Sequence, residues 1–421
     1  MAPLIVSGWL WLVASLVVPT WEKLESKLPS QTPLVYEEKP SDEILKQAGL
    51  PVLYRDKDGL CPFSQQVWLG LEVKNAEYVT VLVDSEKENS KHGPNGWPSS
   101  LKLQWPDGSV QTDPKDILER LNQEYPDEIN LYPDISKAVD SVRCNIVRFD
   151  GVFPRNTQPN LYAPYLIREL DDKPLQWVPK SDHMVTLEET DEVLEEYFTG
   201  PFLCGNQITS ADLFWAPFLD RYAAQLPMIY EGDRLTPRSS EYEALKEWYE
   251  AMETLVPSYA CRVAGDKHTW QQLLRQATEQ NLVPEVDLLP PRGSPNPLKR
   301  RFFNGEKVWN EYKQGKPYVC DTSELECVAY YVRNRERIVS EAAQALTNMN
   351  TDEIEQALLE ILGAILEKDD ANIASKLSGN ARELANYLND QLRVPRDMGA
   401  LPAAAMRALV VTAPKPRISS R

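Results

Sequence analysis

The sequence predicts an α/β domain near the amino terminus, then an all-helical domain and a helical carboxy-terminal extension. The order of elements in residues 51–130, β-α-β followed by β-β-α, predicts the first domain. From about residue 133 onward the apolar residues recur at helical spacing, which predicts the second domain. An apolar stripe in the tail predicts the helical extension. That stripe consists of Ile354, Leu358, Leu359, Leu362 and Ile365.

The composition limits the class of protein. A chain of 421 residues with 42% hydrophobic and 26% charged residues fits a soluble protein of two or three domains. The net charge of −18 argues against a nucleic-acid partner, because phosphates need a basic face. Six cysteines are too few for a disulfide scaffold of this size. With three histidines, and without the usual ligand spacing at Cys320 and Cys327, we expect no metal site.

Residues 1–50 are predicted to be an apolar amino-terminal segment and a polar lead-in. Residues 3–19 are almost entirely apolar, and no Lys or Arg precedes them. The run has the length of a signal-peptide apolar region and is short for a membrane span of about 20 residues. A targeting segment, a weak membrane anchor and a helix docked on the body are all consistent with it.

Residues 51–130 hold the predicted α/β domain. The predicted strands are 52–54, 78–83, 101–105 and 110–112, and the predicted helices are 61–74 and 117–125. Asp113 and Pro114 supply a capping residue and a first-turn proline for the second helix. The turn at 106–109 joins the last two strands as a hairpin.

Cys61 is the candidate nucleophile. It follows a strand and the Asp58-Gly59 turn, and Pro62 after it fits the first helical position. The unpaired N–H groups and the positive dipole at a helix N-terminus favour an anion, and therefore the thiolate. A buried cysteine that packs as a small apolar residue is the alternative. Ser64 occupies the resolving position, so this cysteine can form a mixed disulfide with a partner thiol but no local disulfide.

The run 61–69, which begins Cys61-Pro62-Phe63-Ser64, resembles the active-site motif of cysteine-type glutathione transferases. It is most similar to their dehydroascorbate reductase, lambda and omega classes. The resemblance implies an α/β thioredoxin-like N-terminal domain over 51–130 that binds glutathione as co-substrate. It also implies an all-α glutathione transferase C-terminal domain over 133–276.

The resemblance also implies a glutathione site. In the family, a cis-proline before the third strand faces the cysteine, and Pro98 matches that position. The backbone of Trp97 then pairs with the cysteinyl part of glutathione. The other expected contacts are Phe63, Ser64, Thr112 and Asp113.

The sequence departs from the family pattern at two positions. The family has Glu or Gln followed by Ser where this chain has Asp113-Pro114, and proline offers neither a hydroxyl nor an N–H to the γ-glutamyl carboxylate. Gln66 stands where relatives often carry Arg, which removes a positive charge near the thiolate.

A folding signal supports the second domain. Thr209 and Asp212 have the spacing of a capping box, and Ile208 and Leu213 that of a hydrophobic staple. This pattern resembles the buried N-capping motif of the transferase helical domain. Residues 277–324 are predicted to be a Pro-rich linker and residues 325–421 the helical extension.

The tail also bears on location. The run 393–400 and the Ala-rich stretch after it resemble the extended tail of plant and algal transferase-like proteins, which are often plastid-directed. We therefore expect a chloroplast protein. A cytoplasmic location and weak membrane association through residues 3–19 stay open.

We expect a glutathione-dependent thiol transferase or reductase of the dehydroascorbate reductase type. The Cys61 thiolate attacks a small oxidised molecule or a disulfide substrate, and glutathione regenerates it. The alternative is a non-catalytic transferase-like scaffold with a decayed glutathione site, because a fold alone does not carry function. A homodimer is consistent with the resemblance.

Overall fold

The structure is a computed structural model, and it describes 16–84, 101–133, 138–152, 157–158, 166–167, 176–196, 200–232, 236–289, 304–367 and 373–410. The chain divides into two compact units. The first unit is drawn from Met1–Leu28, Glu324–Gln391 and Ala404–Arg421. The second, larger unit is drawn from Pro29–Ser323 and Leu392–Ala403.

The second unit begins with a mixed sheet. Its strands are β1 (Val35–Tyr36), β2 (Val52–Asp56), β3 (Val79–Val83), β4 (Lys102–Gln104) and β5 (Val110–Gln111). They lie in the order β1-β3-β2-β4-β5, with β1, β3 and β2 parallel and both β4 and β5 in antiparallel pairs. All five residues of β2 are buried, as its central place requires.

Two helices complete the predicted α/β domain. Helix α3 (Pro62–Val73) crosses from β2 to β3, and α4 (Pro114–Glu124) follows the β4–β5 hairpin. The β-α-β-β-β-α order is the thioredoxin-like arrangement that the resemblance implies, with β1 added at the edge. The region before residue 51 is more ordered than predicted, because it holds β1 and α2 (Asp42–Ala48), which is capped by Ser41.

Helices build the next part of the second unit. They are α5 (Ala138–Val152), α6 (Lys180–Glu195), α7 (Ser210–Ile229), α8 (Glu243–Leu255), a π-helical turn (Tyr259–Val263) and α9 (Lys267–Glu279). Three short strands, β6 (Thr157–Gln158), β7 (Leu166–Ile167) and β8 (Gln176–Trp177), form a small antiparallel sheet that the sequence did not predict.

The predicted capping box of α7 is present. The carboxylate of Asp212 accepts hydrogen bonds from the N–H of Thr209 at 2.9 Å and from its hydroxyl at 3.0 Å. It also accepts from the N–H of Leu203 at 2.9 Å and from Nε1 of Trp248 at 3.0 Å. Burial raises the pKa of Asp212, and these hydrogen bonds oppose that shift. The motif therefore links α7 to α8 as well as starting α7.

One hydrophobic core joins the sheet to the helices. It contains Leu53 and Trp68 from the α/β part, and Trp215 and Trp248 from α7 and α8. Because these side chains are in one buried cluster, the β2–α3 junction is held by the helical part of the same unit.

The predicted linker is partly helical. Helix α10 (Gly305–Tyr312) buries Val308, Trp309 and Tyr312, and these pack with Ala260 and Cys261 of the π-helical turn. The difference arises because Val308, Trp309 and Tyr312 recur at helical spacing, which the Pro-rich composition nearby obscured.

The first unit is helical. It holds α1 (Trp21–Glu25), α11 (Ser323–Arg333), α12 (Arg335–Ala345), α13 (Thr351–Leu366), α14 (Ile373–Lys376), α15 (Gly379–Gln391) and part of α16 (Ala400–Leu409). The boundary between the units falls after Ser323 at the start of α11 and before Ala404 within α16. The apolar stripe of α13 is buried except for Leu359, which is half-buried. The predicted extension therefore forms a helical body, except that residues 392–403 pack with the second unit.

The amino-terminal apolar run lies mostly outside the described residues. Its end packs on α13, since a Cβ added at Gly363 would lie 2.8 Å from both Pro19 Cδ and Val17 O. Among the described residues, none of the helices has the length and apolar character needed to cross a membrane.

Candidate active site

The Cys61 turn has the predicted local structure. β2 ends at Asp56, Gly59 turns the chain with a φ of 70°, and Cys61 is the extended N-cap residue of α3. Pro62 occupies the first turn, where its missing N–H costs nothing. The Cys61 side chain is 2% exposed, so the thiol is enclosed in this structure.

Asp56 holds the backbone of this turn. Its carboxylate accepts hydrogen bonds from the N–H of Leu60 at 2.5 Å and from the N–H of Cys61 at 3.1 Å. Burial raises the pKa of Asp56, while these hydrogen bonds and Arg55 oppose that shift. A buried carboxylate that binds two consecutive N–H groups fixes the direction in which the cysteine is presented to α3.

The helical part of the unit closes the other side of the turn. Arg221 of α7 is buried, and its guanidinium donates to the carbonyl of Leu60 at 2.8 Å and to that of Pro217 at 2.5 Å. The side chains of Gln65 and Gln66 donate to backbone carbonyls of the helical part, at Val263 (3.2 Å) and Phe214 (2.9 Å). Gln66, at the position where the resemblance predicts an arginine, therefore links α3 to α7.

Aromatic rings lie beside the cysteine. Phe63, two residues after Cys61, packs edge-on against Phe218 with ring centroids 6.5 Å apart. Phe218 in turn packs on Phe149, at 4.8 Å. Phe63 and Phe149 are half-buried, so this cluster offers a partly accessible apolar surface next to the first turn of α3.

Two arginines lie on one indole near the turn. The guanidinium carbons of Arg55 and Arg262 lie 4.4 and 4.7 Å from the ring centroid of Trp68. Burial and the neighbouring Arg262 lower the pKa of Arg55 to about 10. The two cations supply positive charge on the β2 side of α3, in a chain whose net charge is strongly negative.

The residues predicted to contact glutathione do not all lie equally close to Cys61. Ser64 is buried in the first turn of α3, and Phe63 is half-buried beside it. β5 runs parallel to β2, because both strands pair antiparallel with β4. Thr112 and Asp113, which follow β5, therefore lie at the same end of the sheet as Cys61, which follows β2. Trp97 and Pro98 lie outside the described residues.

Asp113 is used as a helix cap. Its Oδ1 accepts from the N–H of Lys115 at 2.8 Å, and Pro114 follows as the first residue of α4. Thr112 is exposed. The carboxylate that the resemblance places at the glutamyl end of glutathione therefore already stabilises α4.

Sequence reasoning missed Asp56, Arg221 and Arg396 as residues of this site. A signal existed for the first, since an aspartate directly before a turn and a helix start is a frequent acceptor for local N–H groups. Arg221 and Arg396 carried no such signal, because both reach the turn from distant parts of the chain.

All six cysteines are described, and none is in a disulfide. Burial raises the pKa of Cys204 to about 11 and that of Cys261 still further, which keeps these thiols protonated. Within the described ranges, no group of three His, Cys, Asp or Glu side chains is arranged to hold a metal ion.

Comparison with known proteins supports the helical part of the resemblance. Residues 176–251 match the sequence model of the glutathione S-transferase C-terminal domain. They include the α7 capping box and most of α8, so the predicted fold class, an α/β thioredoxin-like domain with an all-α transferase domain and a helical extension, is confirmed. No curated protein matches the chain.

The chain is also similar, at low identity, to solved structures of glutathione transferases. A trimeric glutathione transferase from Leishmania has 18% identity and a TM-score of 0.42, over 56% of this chain and 50% of that one. A glutathione transferase homologue from Drosophila mojavensis with bound glutathione has 21% identity and a TM-score of 0.40, over 55% and 97%. Omega 3C transferase from Trametes versicolor has 18% identity and a TM-score of 0.37, over 52% and 83%. The chain thus spans half the length of the Leishmania protein.

Proposed function

We propose that the protein is a glutathione-dependent thiol transferase or reductase with Cys61 as its nucleophile. The observation that carries the proposal is the placement of Cys61 as the N-cap of α3, with its backbone held by Asp56. A thiol at this place lies at the positive end of the helix dipole. The matched transferase helical domain supports glutathione as co-substrate.

The chemistry follows from the single cysteine in the turn. With a mixed disulfide of glutathione as substrate, the Cys61 thiolate attacks the glutathione sulfur, and the S–S bond breaks to release the other thiolate. A glutathione thiolate then attacks the new Cys61–glutathione disulfide, which releases the Cys61 thiolate and oxidised glutathione. Because Ser64 stands at the resolving position, glutathione must supply the second thiol.

Dehydroascorbate reduction is the finer form of the proposal. The thiolate adds to an electrophilic carbonyl carbon of the substrate, and the carbonyl oxygen takes up a proton. A glutathione thiolate then attacks the Cys61 sulfur, and the S–C bond breaks with its electron pair going to the substrate, which leaves as ascorbate, while Cys61 and glutathione form the mixed disulfide. A second glutathione restores the thiolate, so two glutathione molecules provide the two electrons.

A second candidate function is a transferase-like scaffold without catalysis. Two observations favour it. Cys61 is 2% exposed, whereas a reacting thiol needs access. Asp113 is engaged as the cap of α4, and Pro114 cannot donate to a glutamyl carboxylate.

The test compares the full chain with Cys61→Ser and with Cys144→Ser, a matched change at an exposed cysteine. Binding to immobilised glutathione is measured first, then reduction of hydroxyethyl disulfide and dehydroascorbate. The enzyme proposal expects binding by all three proteins and activity in all but Cys61→Ser. Absence of both binding and activity in the unmodified chain selects the scaffold.

The location is a separate proposal. The resemblance of the tail to plastid-directed proteins supports delivery to the chloroplast, and the run at 3–19 is the candidate targeting segment. A fluorescent fusion of the full chain should enter plastids, and removal of residues 1–19 should abolish entry. Fluorescence that stays in the cytoplasm, or that resists carbonate washing of membranes, would contradict the proposal.

A further inference from the structure

A short segment from the far end of the chain lies on the thiol turn. Residues Leu392–Ala403, here called the strap, belong to the second unit although α15 before them belongs to the first. The strap is well packed, because Leu392, Val394, Met398 and Ala403 are between 0% and 4% exposed. It is therefore a built part of the unit that carries Cys61.

The first half of the strap is bound to α9. The N–H of Val394 donates to Oγ1 of Thr269 at 3.1 Å. The guanidinium of Arg393 donates to Oε1 of Gln272 at 2.8 Å and to Oε1 of Gln276 at 3.2 Å. These contacts fix the strap along the first three turns of α9.

The second half of the strap is pressed on the π-helical turn. A Cβ added at Gly399 would lie 1.7 Å from the carbonyl oxygen of Cys261, so only glycine permits this approach of the two backbones. Leu401 packs against the cluster that α10 forms with Ala260 and Cys261 of the π-helical turn. The strap is thus anchored at both ends.

Between the two anchors, the strap crosses the thiol turn. A Cβ added at Gly59, two residues before Cys61, would lie 3.5 Å from the backbone N of Arg396 and 3.6 Å from its Cα. Nη1 of Arg396 lies 3.6 Å from Oδ1 of Asp58. The gap between the strap backbone and Gly59 is therefore about one methyl group wide, and the pair of Arg396 and Asp58 joins the strap to the loop that presents the enclosed cysteine.

A closed turn in the strap keeps Arg396 in place. Asp397 Oδ2 accepts from the N–H of Arg393 at 2.9 Å, and the N–H of Asp397 donates to the carbonyl of Arg393 at 2.9 Å. Asp397 Oδ1 also accepts from Nε of Arg396 at 2.8 Å. The carboxylate of Asp397 thus shapes the strap and sets the direction of the arginine that faces Asp58.

We propose that the strap is an inhibitory closure of the thiol site, and that Cys61 reacts with bulky disulfides only when the strap lifts. The biological role of the closure rests on the proposed function of Cys61, but whether the strap limits the access of reagents to the Cys61 thiol can be tested without that function. The observations behind it are the close approach of the strap backbone to Gly59, the pair of Arg396 and Asp58, and the anchors on α9 and on the π-helical turn, together with a Cys61 side chain that is 2% exposed.

The test measures the alkylation rate of Cys61 by iodoacetamide in the folded full chain, using peptide mass spectrometry. Exposed Cys144 is the internal reference. Gly399→Ala pushes the strap from the Cys261 carbonyl, and Arg393→Gln removes its bonds to α9 without adding bulk. Gly379→Ala is the matched control, because nothing lies within 4 Å of the added Cβ.

We expect the Cys61 rate to rise about tenfold in both strap variants and to stay unchanged in the control, since local opening limits the reaction of a buried group. Unchanged hydrogen exchange in α7 shows that the second unit remains folded. If either folded strap variant reacts at the wild-type rate, the closure is wrong. Failure of the proposed function looks different, because Cys61 would then alkylate faster in the strap variants while no variant turns over substrate.

Discussion

Replacing Asp56 with asparagine should loosen the thiol turn. The carboxylate accepts from two N–H groups, those of Leu60 and Cys61, which are 7% and 2% exposed. Asparagine has one acceptor oxygen and an NH2 group in place of the other, so one buried donor loses its partner. An orphaned buried donor costs about 1–3 kcal/mol, which favours opening of the turn by about fivefold or more.

The penalty should depend on pH. Burial raises the pKa of Asp56, so the folded state binds this proton more tightly than the unfolded state does. In the wild type, the tighter binding of this proton by the folded state contributes stability at low pH, and that contribution is lost as pH rises through the folded pKa of Asp56. The amide of the Asp56→Asn variant cannot titrate, and the difference between the two proteins should therefore shrink as pH rises.

The measurement is hydrogen exchange of the peptide that spans residues 57–62, followed by mass spectrometry. A local readout is needed because a chain of two units has no single free energy of unfolding. Asp113→Asn is the matched control, since asparagine caps a helix as well as aspartate does. Wild-type exchange rates at Leu60 and Cys61 in the Asp56→Asn protein would refute the role given to the carboxylate.

Three further predictions concern the stability of a single unit, and each is read from the unfolding transition of the unit that contains the residue. Burial lowers the pKa of His183 to about 4 from 6.5, so the neutral ring adds stability that is lost as pH falls through this window. When the pH falls from 7 to 5, the free energy of unfolding should therefore decrease by about 2 kcal/mol less in His183→Phe than in the wild type. Equal decreases of the melting temperature in the two proteins over this pH range would contradict the prediction. Asp212→Ala leaves the N–H groups of Leu203 and Thr209 and the indole of Trp248 without their acceptor, and should cost at least about 3 kcal/mol in urea unfolding. Asn350→Ala breaks the capping box of α13 and should cost about 1 kcal/mol, whereas Asn350→Ser should cost little.

The sequence alone predicted the α/β part well. The strand before Cys61, the proline after it and the capping box of Thr209 and Asp212 are local signals, and each has the expected structure. The residues Leu245, Trp248, Tyr249 and Met252 recur at helical spacing, and all four are fully buried in α8. Spacing along the chain is enough for such features because their partners lie within one or two turns.

The region between 277 and 324 and the polar lead-in were harder to interpret. α10 is eight residues long and is stabilised by burying Trp309 on the π-helical turn. β1 has two residues and exists because it pairs with β3. Short elements of this kind depend on tertiary contacts rather than on propensity.

The sequence by itself determined where the candidate nucleophile lies, because a cysteine before a proline at a helix start is a local arrangement. It also predicted the helical domain, because the capping box of Thr209 and Asp212 lies within four consecutive residues. Only the tertiary structure decided what surrounds that atom. Asp56 accepts from the N–H of Cys61, and Arg221, which is 161 residues from Leu60 in the sequence, donates to the Leu60 carbonyl. Arg396, near the carboxy terminus, pairs with Asp58 of the turn. These contacts join segments with no shared periodicity, and chain folding alone brings them together.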